Sequence, residues 1–176
     1  PFYIKSFFNE DKSKIFSQIN FNHVKFKIDN ELNLRKKQKI GRSNLILKNL
    51  KLIAEYQVDK NSFNFKIFDK LDQRNVNYEG QLNFKPFYAS LKGDLDKINL
   101  NHLFGSGAII AQLLKTEIFN NENINFKLNL KSKNVFNNSN FRNIFINSKI
   151  QEGLIDTDKT KFEWRDIADF ELLESL

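Results

Sequence analysis

Between Asn123 and Lys131 the chain alternates without a break, Ile124, Phe126, Leu128 and Leu130 against Asn125, Lys127, Asn129 and Lys131. A side-chain period of two belongs to an extended strand, whose successive residues point to opposite faces. Such a strand is apolar on one side only. It must lie beside other strands and turn its apolar side toward something other than water.

The same pattern recurs along the chain. Phe63, Phe65 and Ile67 alternate with Asn64 and Lys66, Leu82 and Phe84 flank Asn83, and Phe87, Ala89, Leu91, Gly93 and Leu95 keep one parity. Upstream, Val24, Phe26 and Ile28 alternate, as do Leu50, Leu52, Ala54, Tyr56 and Val58. Parity slips between Phe21 and Val24 and between Leu47 and Leu50, which predicts a bulge in each strand. Turn signals stand at Asn9 to Lys12, Asp29 to Glu31, Asp59 to Asn61, Asp69 to Asn75 and Asn134 to Asn140. Pro86 predicts an edge or a bend, and Gly80 and Gly93 predict close backbone approach or a kink.

One segment changes period. Leu103, Phe104, Ala108, Ile110, Ala111, Leu114 and Ile118 recur at three- and four-residue steps, the mark of a helical stripe, with Asn101 or Ser106 as N-cap. Ile109 and Leu113 widen that stripe, so the helix is expected to pack against the sheet. The fold class is therefore mainly β: a long, twisted antiparallel meander forming a curved, groove-like sheet, with one amphipathic helix near residues 101–119. The chain reads as a single β-rich fragment of a larger protein. Its parts are weakly patterned strands over 1–42, a meander over 43–100, the helix over 101–121 and a resumed meander over 122–176.

Composition narrows the function. The net charge of +7 raises nucleic acid or an anionic membrane as partners, but Lys outnumbers Arg by 23 to 5 and is spread along alternate strand positions. Arg is the residue suited to bidentate phosphate and guanine contacts. The joint excess of Lys, Asn, Phe and Ile fits an A/T-rich genome. A solvated sheet face is the expectation, also for the basic run Arg35 to Lys39, and no nucleic acid is expected as partner. With no Cys, thiol catalysis, disulfides and Cys-ligated zinc are excluded. No stretch approaches the roughly 20 apolar residues of a membrane span, so any anchor is expected outside these residues.

No catalytic, cofactor or metal site is expected. His23 and His102 have no Ser or carboxylate at dyad or triad spacing. Asp156 and Asp158 lack the glycine and terminal Glu of a calcium loop and read as a turn. Trp164, alternating with Phe162, is expected to point into the core.

The order of elements from Gly93 to Ile155 carries a further signal. A strand ends in Asp94, Leu95, Asp96, Lys97, Ile98, Asn99 and Leu100 and leads into the helical Leu103 and Phe104. The alternating strand Ile124 to Leu130 follows, then a polar loop at Asn137 to Phe141 and a strand running into Glu152, Gly153, Leu154 and Ile155. This third of the chain resembles the C-terminal region of the AsmA family of bacterial envelope proteins, relatives of TamB. It departs from the family in having Asn121, Glu122 and Lys133, Asn134 where glycine is common.

The resemblance implies a U-shaped sheet with an apolar trough, anchored in the inner membrane of a Gram-negative bacterium and projecting into the periplasm. It also implies a non-enzymatic role in lipid transport between membranes or in outer-membrane biogenesis. The apolar groove would be lined by Phe63, Phe65, Ile67, Leu82, Phe84, Ala89, Leu91, Ile124, Phe126, Leu128 and Leu130, and its partner would be phospholipid or another acyl-chain ligand. The alternatives are a closed structural or adhesive β-sandwich and a basic nucleic-acid-binding module.

Overall fold

The computed structural model of the chain describes residues 2–21, 26–35, 39–47, 50–69, 76–101, 105 and 122–173. They form thirteen strands: β1 (Phe2–Phe8), β2 (Lys14–Phe21), β3 (Phe26–Asn33), β4 (Lys39–Leu47), β5 (Leu50–Val58), β6 (Ser62–Asp69), β7 (Val76–Phe84), β8 (Phe87–Ile98), β9 (Asn125–Val135), β10 (Asn138–Gln151), β11 (Leu154–Asp156), β12 (Lys161–Trp164) and β13 (Ala168–Glu171). The protein is mainly β, as the alternation requires. Hydrogen bonding follows chain order from β1 to β10 and then through β12 to β13, with β11 paired to β10. The chain divides into two compact units, Pro1–Leu82 and Asn83–Leu176.

In the first unit the pairings from β1 to β6 are all antiparallel. Phe21 pairs with Phe26 and Leu47 with Leu50, so the chain reverses at both places where bulges were expected. The physical reason is parity. Residues paired across an antiparallel turn share a face, so a pair at odd separation shifts the alternation by one, as an inserted residue would. The expected turn at Asp29 to Glu31 is also corrected, because these residues lie inside β3. Cross-strand partners hold them there. Asp29 accepts from Gln18 Nε2 (3.0 Å), Asn30 from Ser43 and Tyr56, and Glu31 pairs with Lys14 (2.6 Å).

Two turns in this unit are built on carboxylates. Asp11 accepts from the Ser13 hydroxyl and N–H and lies against Arg35 and Asn9, which holds its carboxyl well below the usual range. Asp59 is lowered by the N–H of Asn61 (2.8 Å) and by the hydroxyl (3.0 Å) and N–H (2.7 Å) of Ser62. Aromatic rings cover two glycines. Tyr56 lies where a side chain on its partner Gly41 would sit, and Phe65 does the same over Gly80.

The second unit contains a feature that the expected antiparallel meander lacks. β8 and β9 are parallel, with Ala89 opposite Phe126, Leu91 opposite Leu128 and Gly93 opposite Leu130. Parallel neighbours need a crossover of about a dozen residues or more, and the change of period after Leu100 supplies one. The helix expected over 101–119 falls almost wholly outside the described residues. At its start Leu100 and Asn101 are helical, and Gly105 N–H donates to the Asn101 carbonyl at 2.9 Å. Lys85 and Pro86 form the expected bend, as a turn between β7 and β8.

β10 continues the rows antiparallel to β9, with Phe126 opposite Ile150, Leu128 opposite Ser148, Leu130 opposite Ile146 and Ser132 opposite Ile144. Large and small residues alternate along these rows: Leu91–Leu128–Ser148 is followed by Gly93–Leu130–Ile146 and Leu95–Ser132–Ile144. Leu95, Ile98, Leu128, Leu130, Val135, Ile144, Ile146 and Ile150 are buried and make this unit's core. The loop expected over 134–140 is a tighter turn, Phe136 and Asn137, with Asn137 at φ 58°. Glu152 and Gly153 both have positive φ (54° and 79°), the backbone of a two-residue hairpin turn between β10 and β11. Trp164 is 39% exposed rather than in the core, because β12 ends there and Arg165 and Asp166 turn the chain outward.

Three outcomes follow from this packing. Leu130→Ala, at a side chain 2% exposed, is expected to destabilise by about 2–5 kcal/mol in urea unfolding read by Trp164 fluorescence, and Ile4→Ala, 63% exposed, by less than about 0.5 kcal/mol. Gly41→Val or Gly80→Val is expected to displace the covering ring and cost roughly 1–3 kcal/mol, read by circular dichroism during denaturation. Because the folded Asp11 and Asp59 pKa values lie below the unfolded one, their stabilisation is full above about pH 4 and is lost as pH falls. Amide protection factors at these two turns should therefore fall on acidification, and Asp11→Asn with Asp59→Asn should flatten that dependence.

Candidate functional site

In the first unit the cross-strand register sorts side chains into rows that run across the strands. Ile4, Ile19, Ile28, Leu45 and Leu52 form one row, which ends on Asp69, and Phe8, Ile15, Leu32, Gly41, Tyr56 and Phe65 form another. Between them runs Ser6, Ser17, Asn30, Ser43, Ala54 and Ile67. All three rows share one face, because successive paired rows two residues apart point the same way.

The intervening rows carry most of the charge but are mixed. Lys5, Gln18, Asp29 and Asn44 lie in one, which continues into the buried Ile53 and on to Phe68, and the stacked Phe7 and Phe16 lead the next into Glu31, Arg42, Glu55 and Lys66. Ion pairs join them as Lys14–Glu31 (2.6 Å), Lys27–Asp29 (2.7 Å), Arg42–Glu55 (3.7 Å) and Lys66–Glu79 (2.9 Å). These are exposed pairs worth little individually, about 0–1 kcal/mol. Their effect is to neutralise much of the basic charge where it stands.

The apolar face is not sealed. Ile4 and Phe8 are exposed, and Ile15, Ile19, Ile28, Leu32, Leu45, Leu52, Tyr56, Phe63, Phe65 and Ile67 are each only part-buried. Among the described residues of this unit only Ser13, Gly41, Ser43 and Ile53 are buried. A single sheet with an apolar face in partial contact with water is the candidate site. Its middle row is polar and internally bonded: Ser6 donates to Ser17 (3.0 Å), and Ser43 (2.7 Å) and Tyr56 (2.6 Å) both donate to Asn30 Oδ1. Burial beside this row raises the Tyr56 phenol above its ordinary value.

The expected groove residues divide between the units. Phe63, Phe65 and Ile67 lie on the open face through their register with Val58, Tyr56 and Ala54. Leu82 shares their side, because Gly80 lies under Phe65 and Glu79 pairs with Lys66 on the other side. In the second unit Ala89, Leu91, Phe126, Leu128 and Leu130 share one face by register, Ile124 just precedes β9, and Phe84 is 44% exposed at the end of β7. Leu128 (6% exposed) and Leu130 are core rather than open wall. The large–small alternation of their rows closes the packing around them.

Beside that core is an apolar cavity of about 390 Å³, lined by Leu100, Phe141, Ile144, Ile146, Thr157, Thr160, Phe162 and Leu172. Phe162 stacks on Phe170 at 4.9 Å and meets Phe141 edge-on at 5.7 Å. The Thr160 hydroxyl is engaged by the Asn147 backbone, donating to its carbonyl (2.9 Å) and accepting from its N–H (3.1 Å). The cavity therefore presents carbon rather than hydrogen-bonding groups.

Several of these residues, among them Ile28, Leu52, Leu100 and Phe162, stood out singly in the sequence, but neither the cavity nor the Ile4–Leu52 row did. The row becomes visible only when Phe21 is paired with Phe26 and Leu47 with Leu50, and the usable signal was the odd separation of these apolar residues. His23 and His102 lie outside the described residues. Asp158 N–H donates to Asp156 Oδ1 at 2.8 Å, so that pair is a turn, as expected. Among the described residues no three His, Asp or Glu side chains gather to hold a metal, and no helix is long and apolar enough to cross a membrane.

Comparison with family models, curated proteins and solved structures finds no match to this chain.

Proposed function

We propose that this chain is a section of an AsmA-like envelope protein that holds acyl chains of phospholipid against the apolar face of its sheet. The role is non-enzymatic, in lipid transport between membranes or outer-membrane biogenesis, at the periplasmic face of the inner membrane. The observation that carries the reading is the part-exposed apolar face of β1–β6, with most of its charges on the other side and only Lys39 and Asp69 on the rows of Val58 and Leu52. An acyl chain covering such rows gains about 0.8 kcal/mol for each CH₂ removed from water, and needs no specific polar contact to do so. The order of elements from Gly93 to Ile155, which resembles the AsmA family, supports the same reading.

A second reading, a closed structural domain, is favoured for the second unit by the burial of Leu128 and Leu130. For the first unit the proposal specifies what touches β6. A photo-crosslinking residue placed in turn at Phe65, Lys66 and Ile67 in Gram-negative cells is expected to capture phospholipid from 65 and 67 but not from 66. No adduct at 65 or 67, or equal capture from all three, contradicts the proposal.

A further inference from the structure

Phe7 and Phe16 stand on the charged face of the first unit, away from its apolar rows. They open the row that runs on through Glu31 and Arg42, and their rings stack on one another at 5.4 Å with 22° between the planes. Beside them, over β2, β3 and β4, the surface dips into a pocket of about 220 Å³. Its polar wall comes from two neighbouring rows, with Gln18, Asp29 and Asn44 in one and Glu31 and Arg42 in the other. Every lining residue but Phe7 stands on a strand paired on both sides, so the pocket belongs to the interior of the sheet and not to its ends.

The charges around this pocket cancel. Asp29 is held by Lys27 (2.7 Å), Glu31 by Lys14 (2.6 Å), and Arg42 stands across from Glu55. A charged ligand therefore meets no uncompensated partner here. Hydrogen-bonding capacity is left over all the same. A carboxylate offers about four acceptor positions. Asp29 receives Lys27 and Gln18 Nε2 (3.0 Å), and Glu31 receives Lys14. Arg42 Nε lies 3.7 Å from Glu55, beyond hydrogen-bond reach, so that pair leaves the guanidinium donors open to a ligand. Asn44 is exposed and adds an amide that both donates and accepts. A ligand matched to this wall has donors and acceptors around its rim, no net charge, and an apolar surface to lay on the rings. An acyl chain lacks the first, and a phosphate or carboxylate lacks the second. A sugar ring has all three, with hydroxyls around its edge and C–H groups across a face that packs on aromatic rings. The volume, about that of seven waters at liquid density, suits a single ring.

We infer that this pocket binds an uncharged pyranose unit, with its C–H face against Phe7 and Phe16 and its hydroxyls shared among Asp29, Glu31, Arg42 and Asn44. A few placed polar groups around an apolar floor is the usual composition of a small-molecule site. The pocket lies on the face opposite the apolar rows, so the inference is independent of whether those rows hold lipid.

The test is a titration of the isotope-labelled 176-residue chain, followed by nuclear magnetic resonance through the side-chain amides of Gln18 and Asn44. The probes are glucose, galactose and N-acetylglucosamine, with maltohexaose and chitohexaose to separate a glycan chain from a free sugar. The expected result is a shift of both amides that saturates at about 1–10 mM of at least one probe. Tighter binding of a hexamer than of its single ring assigns a glycan chain as the ligand, and equal binding per ring a free sugar. Arg42→Ala and Asn44→Ala are each expected to weaken that binding about tenfold, the loss of one hydrogen bond. Lys66→Ala, on the same face but outside the pocket, is expected to leave it unchanged. The backbone amide spectrum reports whether each variant is folded. No saturable shift with any probe, binding that survives both Arg42→Ala and Asn44→Ala, or an equal loss in Lys66→Ala overturns the inference.

Discussion

The cross-strand register of β1 to β6 is the constraint on which the rest depends. In an antiparallel ladder a paired position fixes the face of every other residue in both strands, so a one-residue slip would carry Ile19, Ile28 and Leu45 to the charged side together. The turns that set this register are short. Those at Asp11 and Asp59 are tied by carboxylates to the backbone, and the polar row Ser6–Ser17–Asn30–Ser43 adds side-chain bonds that exist only in register. Specificity thus comes from hydrogen bonds, and the apolar rows on either side follow from it.

The two units use the same alternation differently. In Asn83–Leu176 the parallel β8–β9 pair brings large and small side chains together in rows that bury Leu130 and Ile146, and a carbon-lined cavity remains beside them. In Pro1–Leu82 two mainly apolar rows flank a row of Ser6, Ser17, Asn30, Ser43 and Ala54, and nearly all of their large residues keep part of their surface in water. A face left open in this way suits a cover that conforms to it, and an acyl chain conforms where a second rigid layer would leave voids.

Much of the strand pattern was legible because alternation is a local property. Ile124 to Lys131, Phe63 to Ile67 and Phe87 to Leu95 all lie in or against the strands that their period predicts. Three things were not legible, each for a physical reason. A parity slip is common to a bulge and to a hairpin, so the turns after Phe21 and Leu47 were hidden. Asp29, Asn30 and Glu31 look like a turn, and only their partners Gln18, Ser43, Tyr56 and Lys14 on other strands explain why they are extended. The parallel pairing of β8 with β9 is a property of connection rather than of period, and an alternating strand reads the same in either direction. As for the candidate site, the sequence marked Phe65 and Ile67 correctly as sharing a face. It could not say which apolar residues are sealed, because burial depends on the neighbouring row, as Leu130 shows against Ile4.

The central claim is that the apolar face of the first unit lies open until something other than protein covers it. Spin labels at Leu52 and Glu55, on opposite faces of β5, test this by their accessibility to a water-soluble nickel quencher in the purified chain, without and with phospholipid. The account predicts that both positions are accessible without lipid and that lipid shields 52 alone. Shielding of 52 in the lipid-free chain, or no change there when lipid is added, would contradict it.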